Sequence, residues 1–327
     1  MKILAVDDDP IILELLAHFI ETMTEHKLVM ASCADDAIET IKTNAPGSFD
    51  CFLLDIQMPG TDGIALAGQI RTMDAYVDTP ILMLTAMSEK DYIDAAFAAG
   101  ATDYVTKPFE MFELKARLAL VERAFAAREA RTTKIFAAQK LNPSQETGTA
   151  PIDLFDPVAL YEIDNLIDFM AFENYIRQLS RNDLFGSTAF AFTIRDIAQY
   201  HATMSPFEFY SLLTDVAEVI SDTLGDGQFL MSYAGNGTFI CITESGWQPD
   251  MKALGLSVNL TLAKTELFDN QGQQIEPRVC AGEAIRLMWK TSATVMDAIS
   301  AAHASAEESV AAHEDAQKNA WQIGLTG

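Results

Sequence analysis

Short apolar runs, each closed by an acidic or hydroxylated residue, recur through the first third of the chain. Lys2-Ile3-Leu4-Ala5-Val6 ends in Asp7-Asp8-Asp9-Pro10, and Phe49 with Cys51-Phe52-Leu53-Leu54 ends in Asp55. Pro80 to Leu84 ends in Thr85, and Thr102 to Val105 runs into Thr106-Lys107-Pro108-Phe109. Nearly continuous apolar runs of this length predict strands buried on both faces. Between them, apolar positions at helical spacing predict helices over 11–24, 35–43, 63–73 and 92–99, with Leu28-Val29-Met30 a further strand. Pro10 suits a first helical turn, and Ile12, Leu15, Leu16, Phe19 and Ile20 are expected on one face of that helix. Five strand-helix units predict a doubly wound parallel α/β sheet, because parallel neighbours need crossover helices.

From Glu110 the helical pattern continues. Leu114, Leu118, Val121, Phe125, Arg128, Thr132 and Ile135 follow alternating steps of four and three, a heptad seam. Two readings stay open: residues 110–139 form a parallel homodimer contact, or Leu114, Leu118 and Val121 pack on the first sheet and the rest is a solvated extension. Asn142-Pro143 ends the helix, and Ser144 to Pro151 is a polar Gly/Pro/Thr linker. The expected organisation is a first domain over 1–125, a helical extension and linker over 126–155, and a second domain over 156–327.

In the second domain, Asp156-Pro157 is expected to open a helix reaching about Arg181. Ala189 to Ile194 is a strand, Pro206 to Thr223 an apolar helix, and Phe229 to Tyr233 and Thr238 to Thr243 two strands joined by the tight turn Ala234-Gly235-Asn236-Gly237. Residues 250–268 are ambiguous between helix and strand. Val279 to Met288 is a strand and Ser292 to Ala312 an Ala-rich helix. The order predicts an α+β domain of the split βαβ, ferredoxin-like kind.

Charge narrows the function classes. The net charge of -25 is spread along the chain, with 9 basic and 21 acidic residues up to residue 125 and 13 and 26 beyond it. Neither half has the basic footprint of a nucleic-acid-binding module, so DNA is not an expected partner. Cys33, Cys51, Cys241 and Cys280 are too far apart for a zinc knuckle or redox pair and read as packing residues in a reducing compartment. The chain opens directly on a strand, and no apolar stretch approaches ~20 residues, so a cytoplasmic protein with no membrane partner is expected.

The strand-end residues carry the candidate chemistry. Asp7, Asp8 and Asp55 make an oxygen-rich set suited to Mg²⁺, and a carboxylate can itself accept a phosphoryl group. Lys107 would offset the accumulated negative charge, and Thr85 could donate its hydroxyl to a phosphoryl oxygen. Acids at strand ends are often only helix caps, the reading preferred here for Asp9 and Asp62. The ordered set Asp7/Asp8, Asp55, Thr85 and Lys107 at successive strand ends favours chemistry.

Val6 to Pro10, Leu54 to Gly63, Leu84-Thr85-Ala86 and Tyr104 to Phe109 resemble the signature of the receiver domain of bacterial two-component response regulators, a flavodoxin-like fold. The resemblance covers residues 1–125. It implies that Asp55 takes phosphate from a sensor histidine kinase or a phosphotransfer protein. Asp8, Asp55 and the backbone carbonyl of Gln57 would ligate Mg²⁺, with Asp7 acting through water. Thr85 and Tyr104 would move together as a switch, and Lys107 would bond the phosphoryl group.

The second half resembles a GGDEF (diguanylate cyclase) domain through Asp164 to Phe172, Asp196 to His201 and Val279 to Ala284. Its departures bear on chemistry. Of the acids that would hold metal on a triphosphate, Asp196 alone remains, and the hairpin acids are replaced by Asn236 and Gly237. Met204 and Ser205 stand near the guanine-reading positions, and Gly225-Asp226-Gly227-Gln228 replaces the product-binding motif. A class III nucleotide cyclase hairpin can also be laid on Tyr233 to Phe239 but lacks the second acid. The preferred structural reading makes Asp196 a strand-end cap and the hairpin a type I′ turn. His201 and His303 are expected to be packing or surface residues. The expected protein is a response regulator whose inactive palm-like domain binds a downstream protein. Alternatives are a palm that still binds or cyclises a nucleotide, and a phosphate sink with a structural second domain.

Overall fold

A computed structural model describes residues 1–86, 90–108, 112–122, 152–161, 163–178, 186–225, 229–243, 246–265, 267–268, 274–287 and 292–324. The chain divides into two compact units, Met1–Gln145 and Glu146–Gly327. In the first, strands β1 (Lys2–Val6), β2 (Lys27–Ala31), β3 (Cys51–Asp55), β4 (Ile81–Thr85) and β5 (Asp103–Thr106) lie in the order β2-β1-β3-β4-β5. All are parallel. Helices α1 (Pro10–Met23), α2 (Ala34–Thr43), α3 (Gly63–Arg71), α4 (Lys90–Ala98) and α5 (112–122) form the crossovers and the final layer.

Side chains alternate across a strand, and here both faces are covered. Ile3, Ala5, Cys51, Leu53, Leu82 and Leu84 form one core with Leu13, Leu16, Phe19 and Ile20 of α1 and Leu114, Leu118 and Val121 of α5. The alternate residues Leu4, Val6, Phe52, Leu54 and Met83 are buried as well, as are Ala37, Ile41, Leu66, Ala67, Ile70 and Phe97 of α2, α3 and α4. This explains why these strands read as continuous apolar runs. The face expected for α1 needs one correction: Leu15 is 39% exposed, and Leu13 takes a place in the core instead. Asp9 and Asp62 are helix caps as expected, accepting from the amides of Ile11 and Ala65. Of the heptad seam, Leu114, Leu118 and Val121 are spent on the unit's own core, while Phe125, Arg128, Thr132 and Ile135 lie outside the described residues.

The second unit is built on β6 (Thr188–Ile194), α7 (Ile197–Thr203), α8 (Pro206–Leu224), β7 (Phe229–Tyr233), β8 (Thr238–Thr243), α9 (Met251–Lys264), β11 (Val279–Ala281) and α10 (Ser292–Gly324). Helix α6 (Phe169–Gln178) precedes them, and a two-residue pair, β9 (Leu267–Phe268) with β10 (Gln274–Ile275), follows α9. The main sheet runs β11-β6-β8-β7, all antiparallel. The succession β6-α8-β7-β8-α9-β11 is the split βαβ connectivity.

Three expectations for this unit are corrected. The long helix from Asp156 does not form: Asn165 takes φ 61°, the amide of Met231 donates to its carbonyl, and Ile167 N–H donates to Met231. Leu160 and Ile167 are therefore buried from an irregular segment, and the helix starts at Phe169. The expected strand from Val279 is broken into β11 and β12 (Ile285–Arg286), both on β6. At the break, a β-carbon on Gly282 would stand 2.7 Å from the Ala306 amide nitrogen of α10, so this segment lies hard against that helix. Asp196 precedes α7 with φ 56° and makes no side-chain cap bond.

The turn is as expected. Thr238 N–H donates to Gly235, and the central pair Asn236 and Gly237 have φ 49° and 71°, the signs a type I′ turn requires. No helix among the described residues is long and apolar enough to cross a membrane.

Candidate functional site

Parallel strands deliver their carboxyl ends to one edge, and in the first unit that edge gathers charge. Asp7 follows β1, where its N–H donates to Ala31, and Asp55 is the last residue of β3. The side-chain oxygens of Asp7, Asp8 and Asp55 lie within 4.8 Å of one another. Asp7 and Asp55 are 0% and 4% exposed, whereas Asp8 faces solvent. Lys107 enters from the end of β5, its amide donating to the Thr85 carbonyl at 2.6 Å. Its ammonium stands 2.7 Å from Asp7 Oδ2 and 2.7 Å from Asp55 Oδ1.

Electrostatics follow from burial. Desolvation pushes the Asp55 carboxyl above its ordinary value; the hydrogen bond and charge of Lys107 pull it down, and Asp7 and Asp8 add to the rise. Burial acting alone would lower Lys107, but its hydrogen bonds to Asp55 and Asp7 and their charges outweigh that, and its pKa is raised. One ammonium faces three carboxylates, two of them buried, so the cluster retains negative charge. An all-oxygen donor set with uncompensated charge fits a hard divalent cation such as Mg²⁺.

The other candidates sit around this core. Thr85 ends β4 fully buried, and its carbonyl holds the Lys107 backbone. Tyr104 on β5 is 7% exposed, edge-on to Phe97 at 6.2 Å. Gln57 is exposed in the loop after β3. Gly63 closes that loop, its amide donating to the Ile56 carbonyl at 3.0 Å.

Two contributors escaped the sequence reading. Arg71 bonds the carbonyls of Tyr76, Thr79 and Gly100, tying three loop positions together. Asp103, 2% exposed, pairs with Arg117 of α5 at 3.0 Å. An acidic residue just before Tyr104 with an arginine fourteen places on was the available signal for the second.

In the second unit the three candidate positions are not assembled as an acidic site. Asn236 donates to Glu307 Oε1 of α10 at 2.7 Å, and its amide donates to Leu154. The Gly237 amide donates to the hydroxyl of Tyr233, whose pKa burial raises to about 12. Ser205 caps α8 in a reciprocal box with Glu208. His201 Nε2–H donates to the Ile152 carbonyl at 2.7 Å, and the ring packs on Phe209. Of Gly225-Asp226-Gly227-Gln228, only Gly225 lies within the described residues.

A parallel five-stranded sheet whose carboxyl edge carries an Asp-Asp-Lys cluster defines a class, and residues 3–119 match the response regulator receiver domain family. The N-terminal region of this chain is a response regulator receiver domain. It is 41% identical over 121 residues to the phosphate regulon transcriptional regulatory protein PhoB of Pseudomonas aeruginosa, covering 37% of this chain and 51% of that protein. It is 40% identical over 124 residues to the transcriptional regulatory protein ResD of Bacillus subtilis, covering 38% and 49%. The chain thus spans about half the length of these curated relatives. The chemotaxis protein CheY4 of Vibrio cholerae aligns at 29% identity and TM-score 0.35, over 37% of this chain and 97% of that structure.

Proposed function

We propose that the chain is a two-component response regulator in which Asp55 is the phosphoacceptor and the second unit is the output. The observation that carries this reading is the Lys107 ammonium within 2.7 Å of both Asp7 and Asp55 at the carboxyl edge of a receiver-domain sheet. An Asp55 oxygen attacks phosphorus, the bond from phosphorus to the donor nitrogen of a kinase or phosphotransfer histidine breaks, and that nitrogen keeps the electron pair. Lys107 is placed to take the charge of the transferred group, a role worth most in a site that excludes water. Asp7, Asp8, Asp55 and the carbonyl of Gln57 are the residues that would hold Mg²⁺, which when bound supplies positive charge beside the phosphoryl oxygens. Thr85, buried at the end of β4, donates its hydroxyl to the new group, and Tyr104 follows it as the switch.

The second unit is read as a degenerate GGDEF-like palm. Its βαββαβ succession supports the fold. The acids needed for joining nucleotides are reduced to Asp196, Asn236 is engaged with Glu307, and a side chain at Gly237 would collide with Ile197. The output is therefore binding of a downstream protein in the cytoplasm. PhoB and ResD are named as transcriptional regulatory proteins, but their match to this chain lies in the receiver region, and the 13 basic against 26 acidic residues beyond position 125 argue against a DNA-binding output. The same strand order favours one second reading, a palm that still cyclises a nucleotide. Incubation with GTP or ATP, Mg²⁺ and acetyl phosphate separates the two. No cyclic product is expected, while affinity capture from cell extract should recover a partner that differs between wild type and Asp55→Ala. A cyclic nucleotide would overturn the binding-module reading.

A further inference from the structure

We propose that the second unit carries a metal-independent binding site for a small phosphate ester with neighbouring hydroxyl groups. The site is a recess of about 390 Å³ where β6 ends, lined by Arg195, Asp196, Tyr200, Glu276, Arg278 and His313. That volume lies within the range of small-molecule sites, roughly 300–1,000 Å³. The Arg195 amide donates to the Arg278 carbonyl at 2.8 Å, so two guanidinium side chains leave the backbone from adjacent positions, one just after β6 and the other just before its partner β11.

Arg195 is the unsatisfied member. Its Nη1 meets the Nε2 of His313, and since a guanidinium can only donate, that imidazole nitrogen accepts. Its Nε is buried with no hydrogen-bond partner, and no carboxylate among the described residues lies within ion-pair distance of it. Leaving a buried donor on a charged group unpaired is costly, and an oxyanion oxygen at Nε would relieve it. A fork of parallel N–H groups matches a phosphate bidentately, which a lysine at this position would not do. Arg278 is only loosely engaged: its Nη2 is 3.7 Å from Glu276, and the two side chains are 55% and 64% exposed, a screened contact that a phosphate can displace.

The carboxylates decide what else the ligand must carry. Asp196 and Glu276 would repel a bare anion, yet both are acceptors that suit hydroxyl donors, and the Tyr200 hydroxyl can serve either way. A sugar phosphate satisfies both halves of the recess, whereas inorganic phosphate or a free sugar satisfies one. The site is independent of Asp55 chemistry.

The test is calorimetric titration of the full chain, in buffer containing EDTA, with ribose 5-phosphate and glucose 6-phosphate, alongside inorganic phosphate and the free sugars. At least one sugar phosphate should bind ~10-fold or more tightly than either part alone. Arg195→Gln and the surface variant Arg278→Gln should each weaken it by a similar factor, and Arg278→Gln should do so with an unchanged melting temperature. Absence of binding by both esters, equal binding by inorganic phosphate, a requirement for Mg²⁺, or wild-type affinity in Arg278→Gln would overturn the proposal.

Discussion

A β-carbon on Gly63 would stand 2.0 Å from the carbonyl oxygen of Asp55, so the first residue of α3 is pressed against the backbone of the residue that ends β3. Nothing flexible lies in between, since the contacted atoms are main chain. Gly63→Ala must therefore push the loop away from the strand end. The expected loss of stability is about 1–3 kcal/mol or somewhat more, read as a lower urea midpoint, and phosphoryl uptake should fall with it. Wild-type stability in this variant would mean that the loop is loosely held.

The raised pKa of Asp55 has a consequence for stability. Below the ordinary aspartate value near 3.8 the carboxyl is protonated in both folded and unfolded chains, and its contribution is fully favourable. As pH climbs through the higher folded value, the native state must hold a desolvated carboxylate, and stability is lost. Asp55→Asn is thus expected to be more stable than wild type at neutral pH, with the advantage vanishing in acid below that ordinary value. Urea melts across this range check the sign.

Arg117 is a counter-charge of Asp103, which also accepts from the Tyr104 amide and is buried. Burial raises the Asp103 carboxyl while Arg117 lowers it. Arg117→Met leaves that carboxyl without its guanidinium and should cost about 2 kcal/mol, measured by chemical denaturation. The double change Arg117→Met with Asp103→Asn should recover part of the loss, as expected when the penalty comes from a buried carboxylate deprived of a nearby positive charge.

Placing acids in the hairpin should not create a nucleotide cyclase. Gly237→Glu forces a side chain into a position with φ 71° whose β-carbon would lie 2.8 Å from Ile197 Cγ1. Asn236→Asp replaces the donor to Glu307 Oε1 with a second carboxylate. Each variant should lower the melting temperature, and neither should convert GTP to a cyclic product in a chromatographic assay.

The first unit was legible in the chain because β1, β3 and β4 are buried on both faces and run into polar residues at their carboxyl ends. Apolar runs such as Leu53-Leu54 followed by Asp55 give both the sheet and its acidic edge. The second unit was harder to read. Asn165 in a left-handed conformation and the return of Leu166 to β7 are tertiary features with no local period, so helical spacing from Leu160 to Ile167 was misleading. The break at Gly282 depends on how closely α10 approaches, which no single-strand pattern encodes. The recess at Arg195 joins residues 195 and 313, a pairing that only the packed fold creates.

The carboxylate ending β3 is the proposed acceptor of phosphorus. Incubation with radiolabelled acetyl phosphate and Mg²⁺ should place a hydroxylamine-labile label on the wild-type chain and none on Asp55→Asn. Equal labelling of the two would contradict the account.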